Sequence, residues 1–209
     1  MGPALQKILA LLLVVLLAAP ALAKLPSHPE SVTPLFSGED AICTAWSINE
    51  VKGYWATAAH CTRYWADIDG AWILMPLQNL TIGEKPAIAK KVSLELDLAV
   101  LQSETHARAI KLGKYPEVGA EVTVYGYPGG VQTPLATWLR VSNQYLEWEG
   151  KWMVLDGHVW PGHSGSPVLD HKGRAVSLVQ AHGQGRYSGM TFTSPWSVLR
   201  AFIADFVEP

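Results

Sequence analysis

Apolar and polar positions alternate along most of this 209-residue chain in short runs cut by turn residues, the pattern of strands that each show one face to a core. Residues 41–47 and 54–58 form one such pair about a turn at 49–53. Between 65 and 101 apolar stretches are separated by Asp69-Gly70, Gly83-Glu84 and Lys85-Pro86. Residues 106–119 carry scattered charges with Gly113 and Pro116 and read as a connection between two halves. Strands then resume at 121–125, at 139–155 about a turn at Glu149-Gly150, and at 168–180 about His171-Lys172-Gly173. The period changes only at the end. Ser194-Pro195-Trp196 has a cap-like serine and a proline at the first turn, and Val198, Leu199, Phe202, Ile203 and Phe206 follow at helical spacing. The expectation is an all-β chain closed by one amphipathic helix, with no substrate-tethering module after it.

The first 23 residues break this pattern. Lys7 precedes an apolar run over 8–19 and then Pro20-Ala21-Leu22-Ala23, too short for a comfortable membrane span and ending in the small residues a signal peptidase reads. Residues 1–23 are therefore expected to be a signal peptide, an uncleaved anchor being the alternative, and the product to be secreted or extracytoplasmic. Residues 24–37, rich in Pro and Ser and without a period, read as an extended lead-in or a short pro-segment. Lys and Arg number 16 against 18 Asp and Glu, so no charge excess points to nucleic acid or an acidic membrane surface as partner. No stable membrane insertion is expected after signal cleavage, and a monomer is expected.

The candidate chemistry lies in three segments. In Gly162-His163-Ser164-Gly165-Ser166-Pro167 a hydroxyl stands between two glycines on a turn that would suit either an ordinary polar loop or a nucleophile beside the amide N–H groups of Gly162 and Ser164. A serine nucleophile needs an imidazole to take its proton and a carboxylate to orient that imidazole. Thr57-Ala58-Ala59-His60-Cys61 supplies the first. Asp97-Leu98-Ala99-Val100-Leu101, with apolar neighbours that would bury its carboxylate, supplies the second. Asp67 and Asp69 are rivals but stand in a polar turn.

These motifs, in the order His, Asp, Ser, resemble those of the chymotrypsin-like (trypsin-fold) serine endopeptidases. Gly126-Tyr127-Pro128-Gly129-Gly130 and the residues 133–138 after it are similar to bacterial glutamyl endopeptidases in particular. The resemblance spans about residues 38–206. It implies two six-stranded antiparallel β-barrels, over about 38–112 and 118–193, and a C-terminal helix at about 194–206. Implied roles are Ser164 as nucleophile, His60 as general base and acid, Asp97 as orienting carboxylate, and Gly162 and Ser164 as the oxyanion hole, acting on a polypeptide with no metal or organic cofactor. A catalytically inactive relative that keeps the cleft as a binding module is the alternative.

Two cysteines in a secreted chain most simply form one disulfide, and the resemblance implies the same pairing of Cys43 with Cys61. A Cys/His metal site is the other reading of these residues. Trypsin-like zymogens are switched on through an aspartate immediately before the nucleophile. Here His163 occupies that place, so the turn is expected to be held by packing and hydrogen bonds instead.

By the same resemblance the substrate pocket is walled by His158, Val159 and Trp160 and by Val179, Gln180, Ala181 and His182. Cleavage after Lys or Arg would need an acid where His158 stands. Glutamate-specific relatives carry a hydroxyl and a histidine where Val159 and Val179 fall, unless a register shift of three residues brings in His182. An uncharged or mixed preference is expected. Trp138, Trp148, Trp152 and Trp160 are expected in the core or the cleft wall.

Overall fold

The computed structural model describes residues 25–147 and 150–207. The signal-peptide reading, Trp148 and Glu149 fall outside them.

Strands β1 (Val32–Ser37), β2 (Asp40–Asn49), β3 (Tyr54–Thr57), β6 (Leu80–Ile82), β7 (Lys85–Ser93) and β8 (Leu98–Ser103) close a first antiparallel barrel in the order β1-β2-β3-β8-β7-β6. A second closed barrel has the order β10-β11-β14-β13-β12-β9. Its strands are β9 (Glu121–Gly126), β10 (Leu135–Glu147), β11 (Lys151–Asp156), β12 (Pro167–Leu169), β13 (Ala175–His182) and β14 (Met190–Thr193). Closure leaves neither barrel with a long open edge. The remaining strands, β4 (Arg63–Ile68) and β5 (Ala71–Pro76), pair only with each other, as a hairpin outside both barrels.

Residues 32–37 correct the lead-in expectation: they are the first barrel strand, with Val32 and Leu35 buried in the core. Pro34 hid this strand from a pattern reading. It is tolerated because β6 pairs only with Leu35, Phe36 and Ser37, so at Pro34 one side of β1 has no partner to receive a hydrogen bond.

Trp46, Trp55, Ile48, Leu98 and Leu101 fill the first barrel; Val122, Val141, Met153, Leu155, Val168 and Val179 fill the second. Leu178 belongs to the first cluster and Val179 to the second, because successive residues of β13 point to opposite faces. The helix α1 (Trp196–Ile203) packs Leu199, Phe202 and Ile203 against the seam, and Lys91 Nζ donates to the carbonyl of Phe202 in its last turn. Ser194 does not cap it. Its main-chain carbonyl accepts from Ser177 Oγ in the interior, and no side chain caps the start of α1. Trp138 also departs from expectation, lying on the surface and 60% exposed.

Candidate active site

His60 is placed by a short 3-10 turn, Ala59–Thr62, which follows β3 directly. The neighbouring Cys61 is joined by a disulfide to Cys43 on β2, so the turn is tied at its centre to the barrel wall. Asp97 lies at the end of the turn between β7 and β8, with φ +47°, a left-handed conformation that aspartate tolerates better than most residues. Its carboxylate meets His60 twice. Oδ1 accepts from the His60 main-chain N–H at 2.9 Å, and the Nδ1 of the ring lies 2.9 Å from Oδ2. With Nδ1–H donated to the carboxylate, Nε2 is the unprotonated nitrogen of a neutral ring.

Asp97 is less buried than its apolar flank suggested. Its side chain keeps 23% exposure and that of His60 47%, since Leu94 and Glu95 turn outward and the carboxylate must reach a histidine at a cleft. Within the loop Leu96 N–H donates to Ser93 Oγ, and the other barrel adds a strut. Gln180 Nε2 donates to the carbonyls of Leu96 and Asp97. Asp67 accepts from the Gly70 N–H within its own hairpin.

The nucleophile turn depends on its two glycines. Gly162 and Gly165 have φ of +95° and +85°, and a Cβ on Gly165 would come within 2.1 Å of the Thr44 carbonyl oxygen. Thr44, on β2, is the anchor. Its N–H donates to the Ser164 carbonyl and its Oγ1 to the Gly162 carbonyl, both at 2.9 Å. Oγ1 also accepts from the Tyr127 N–H at 3.0 Å.

With the carbonyls held, the amides sort themselves. His163 N–H donates to Trp160, Gly165 N–H to Val179, and Ser166 N–H to His163. Among the described residues, the two amides of the turn without a protein acceptor are those of Gly162 and Ser164, the expected oxyanion donors. Among them also, Ser164 Oγ makes no hydrogen bond; it shares the cleft with His60 without being bonded to the ring.

His163 points inward and is fully buried. Its Nδ1 accepts from the Trp160 N–H at 3.2 Å, so this side chain braces the turn from below, by a neutral hydrogen bond rather than an ion pair. Burial lowers its pKa from 6.5 to about 4.

His60 and Ser164 line a cleft of about 370 Å³ together with Ile42, Cys43, Val159, Trp160, Gly162, Val179, Gln180, Ala181 and His182. The expected pocket residues thus converge on one space, with His158 the exception. It packs edge-on behind the wall, its ring centroid 5.4 Å from those of both Trp160 and His182. Gly165 N–H donates to Val179 and Val179 N–H to Ser166, so Val179 lies opposite the nucleophile turn. Cys43, His60 and Cys61 bring potential metal-ligand atoms close together, but the disulfide consumes both thiols and the donor set does not fit an ion.

Thr44 was missed by sequence reasoning altogether, and Gln180 was expected in the pocket, which it lines, but not as a donor to the Asp97 loop. Both act across more than 80 residues of chain, and no local pattern marks them.

Comparison with known proteins agrees with this fold. Human serine protease HTRA4 is 24% identical over 192 residues, which cover 87% of this chain and 37% of that protein. The chain thus spans little more than a third of the length of this curated relative. Among solved structures, the active form of the Rv3671c protease from M. tuberculosis aligns with a TM-score of 0.70 at 20% identity, covering 91% of this chain and 88% of that one. The HtrA-type protease AlgW with a tripeptide aligns at 0.65 and 21% identity, covering 87% and 61%. Residues 43–178 match the trypsin-like peptidase domain, and the chain belongs to that family of serine proteases.

Proposed function

We propose that the chain is an extracytoplasmic serine endopeptidase that works through an acyl-enzyme on Ser164. The observation that carries this reading is the joint placement of His60, already oriented by Asp97, and Ser164 in one cleft whose turn leaves two amide donors unused. Ser164 Oγ–H gives its proton to His60 Nε2 as Oγ bonds to the substrate carbonyl carbon. The oxygen, now an oxyanion, accepts from the Gly162 and Ser164 N–H groups. The C–N bond then breaks, with the imidazolium proton passing to the leaving amine. Water repeats the sequence to free the acid and regenerate Ser164. The contact between Ser164 and His60 closes when substrate excludes water from the cleft.

Val159 and Val179, both buried and apolar, favour an uncharged side chain before the scissile bond, with His182 as the polar group at the rim. The disulfide supports residence in an oxidising compartment. A second reading, a cleft that binds polypeptide without cleaving it, draws on the absent bond from Ser164 Oγ to His60 among the described residues. Profiling a peptide library separates the two. Turnover by the wild-type chain that is lost in Ser164→Ala establishes the enzyme; equal hydrolysis by both, or none by either, removes it.

A further inference from the structure

The hairpin β4–β5 has no counterpart in the chemistry above. Its sheet pairs with neither barrel, and it carries large apolar side chains in the open: Tyr64, Trp65 (63% exposed), Ile68, Trp72 (68%) and Ile73. The register, with Trp65 opposite Leu74 and Asp67 opposite Trp72, puts both tryptophans on one face. Tyr64, Ile68 and Ile73 are on the other.

Its root is bound to the cleft. Arg63, the first residue of β4, lies three positions after His60. The intervening Cys61 is bonded to Cys43, which lines the cleft, and Thr62 accepts from the Leu77 N–H where the hairpin returns. A six-residue strand reaches roughly 20 Å from that root.

The exposed area selects the occupant. With 43% to 68% of each in the open, and about 150–250 Å² for an aromatic side chain and somewhat less for an isoleucine, the five expose on the order of 500 Å². Apolar patches of this order are among the largest that ordinary monomers expose, and such patches are often functional. Divided between two faces, it supplies less than half of the roughly 800 Å², polar and apolar together, that each partner of a stable dimer buries. An extended peptide has no such requirement. It pairs its main chain with an open strand edge and sets its side chains against both faces.

We propose that residues 63–76 are an accessory binding arm that grips an extended apolar stretch of the polypeptide whose scissile bond occupies the cleft. This deepens the endopeptidase reading and rests on it for the identity of the ligand. The arm makes the protein prefer long, unfolded, apolar polypeptides over short peptides with the same cleavage site.

The test reads binding rather than turnover, in the full chain carrying Ser164→Ala. Two fluorescein-labelled peptides share the cleavage site, and one continues for a further ten or so residues rich in Leu, Val and Phe. Replacing Trp65 and Trp72 together by Thr, which keeps strand propensity, should weaken the long peptide about tenfold or more by anisotropy and leave the short one unchanged. Hydrogen exchange supplies a readout without any hairpin substitution: amides of 63–76 should slow on adding the long peptide and not the short one.

Equal affinity of the double variant for the long peptide, or unprotected hairpin amides, overturns the proposal. So does a hairpin that instead mediates self-association in sedimentation velocity, or binding to phosphatidylcholine vesicles, while long-peptide affinity stays fixed. Loss of turnover and of labelling at Ser164 would sink the endopeptidase reading without altering these results.

Discussion

The hydroxyl of Thr44 donates to the carbonyl of Gly162 across 118 residues of sequence and from one barrel to the other. Together with the main-chain bond from Thr44 to Ser164, it fixes which way the nucleophile turn faces, and so which amides remain for an oxyanion. Thr44→Val keeps the volume and removes the oxygen. The Gly162 carbonyl and the Tyr127 N–H then lose a partner, at about 1–3 kcal/mol each. The variant should unfold at lower denaturant, and kcat should fall more than KM rises, as steady-state kinetics on a short peptide would report.

Gln180 does for Asp97 what Thr44 does for the turn. With Gln180→Leu the carbonyls of Leu96 and Asp97 lose their donor, and the orienting carboxylate is no longer tied to the second barrel. A shift of about 1 Å in such a group costs roughly a hundredfold in rate, so kcat should drop by ten- to a hundredfold with the fold retained. Unchanged kcat in a folded Gln180→Leu protein would show that Asp97 is held by other contacts.

His163 gives the protein an acid limit. Its folded pKa of about 4 lies below the ordinary 6.5, so as pH falls through 6.5 the unfolded chain takes up a proton that the folded chain refuses. The stabilisation is full above about pH 6.5 and is lost progressively down to about 4, on the order of 3 kcal/mol in all. Denaturant midpoints measured across this window should fall with pH. In His163→Asn, which can still accept from Trp160, the slope should flatten.

The Cys43–Cys61 bridge closes a loop of 18 residues, which contributes about 3 kcal/mol in the chain-entropy account. Replacing both cysteines by Ser should lower Tm by roughly 10 °C at this chain length. Activity should fall further than stability alone explains, because the bridge also fixes the turn bearing His60.

How much of this was legible in the sequence follows the range of each interaction. Strands bounded by Gly and Pro turns could be read locally, as could the three motifs that place His60, Asp97 and Ser164. The barrel strand at 32–37 was hidden by Pro34, which is tolerated only because β6 stops short of it. Ser194 looked like a helix cap but has its hydroxyl near Ser177 Oγ, in a buried contact no local window reveals. The exposure of Asp97, the strut from Gln180 and the clamp at Thr44 all depend on how one barrel meets the other. Alternation within a strand carries no information about that meeting.

Covalent labelling with a fluorophosphonate, mapped by mass spectrometry of the digested protein, bears most directly on the reaction proposed for the cleft. The expected result is one adduct, on Ser164, formed slowly in His60→Ala and not at all in Ser164→Ala. Correctly folded, disulfide-bonded wild-type protein that stays unlabelled at Ser164 would contradict it.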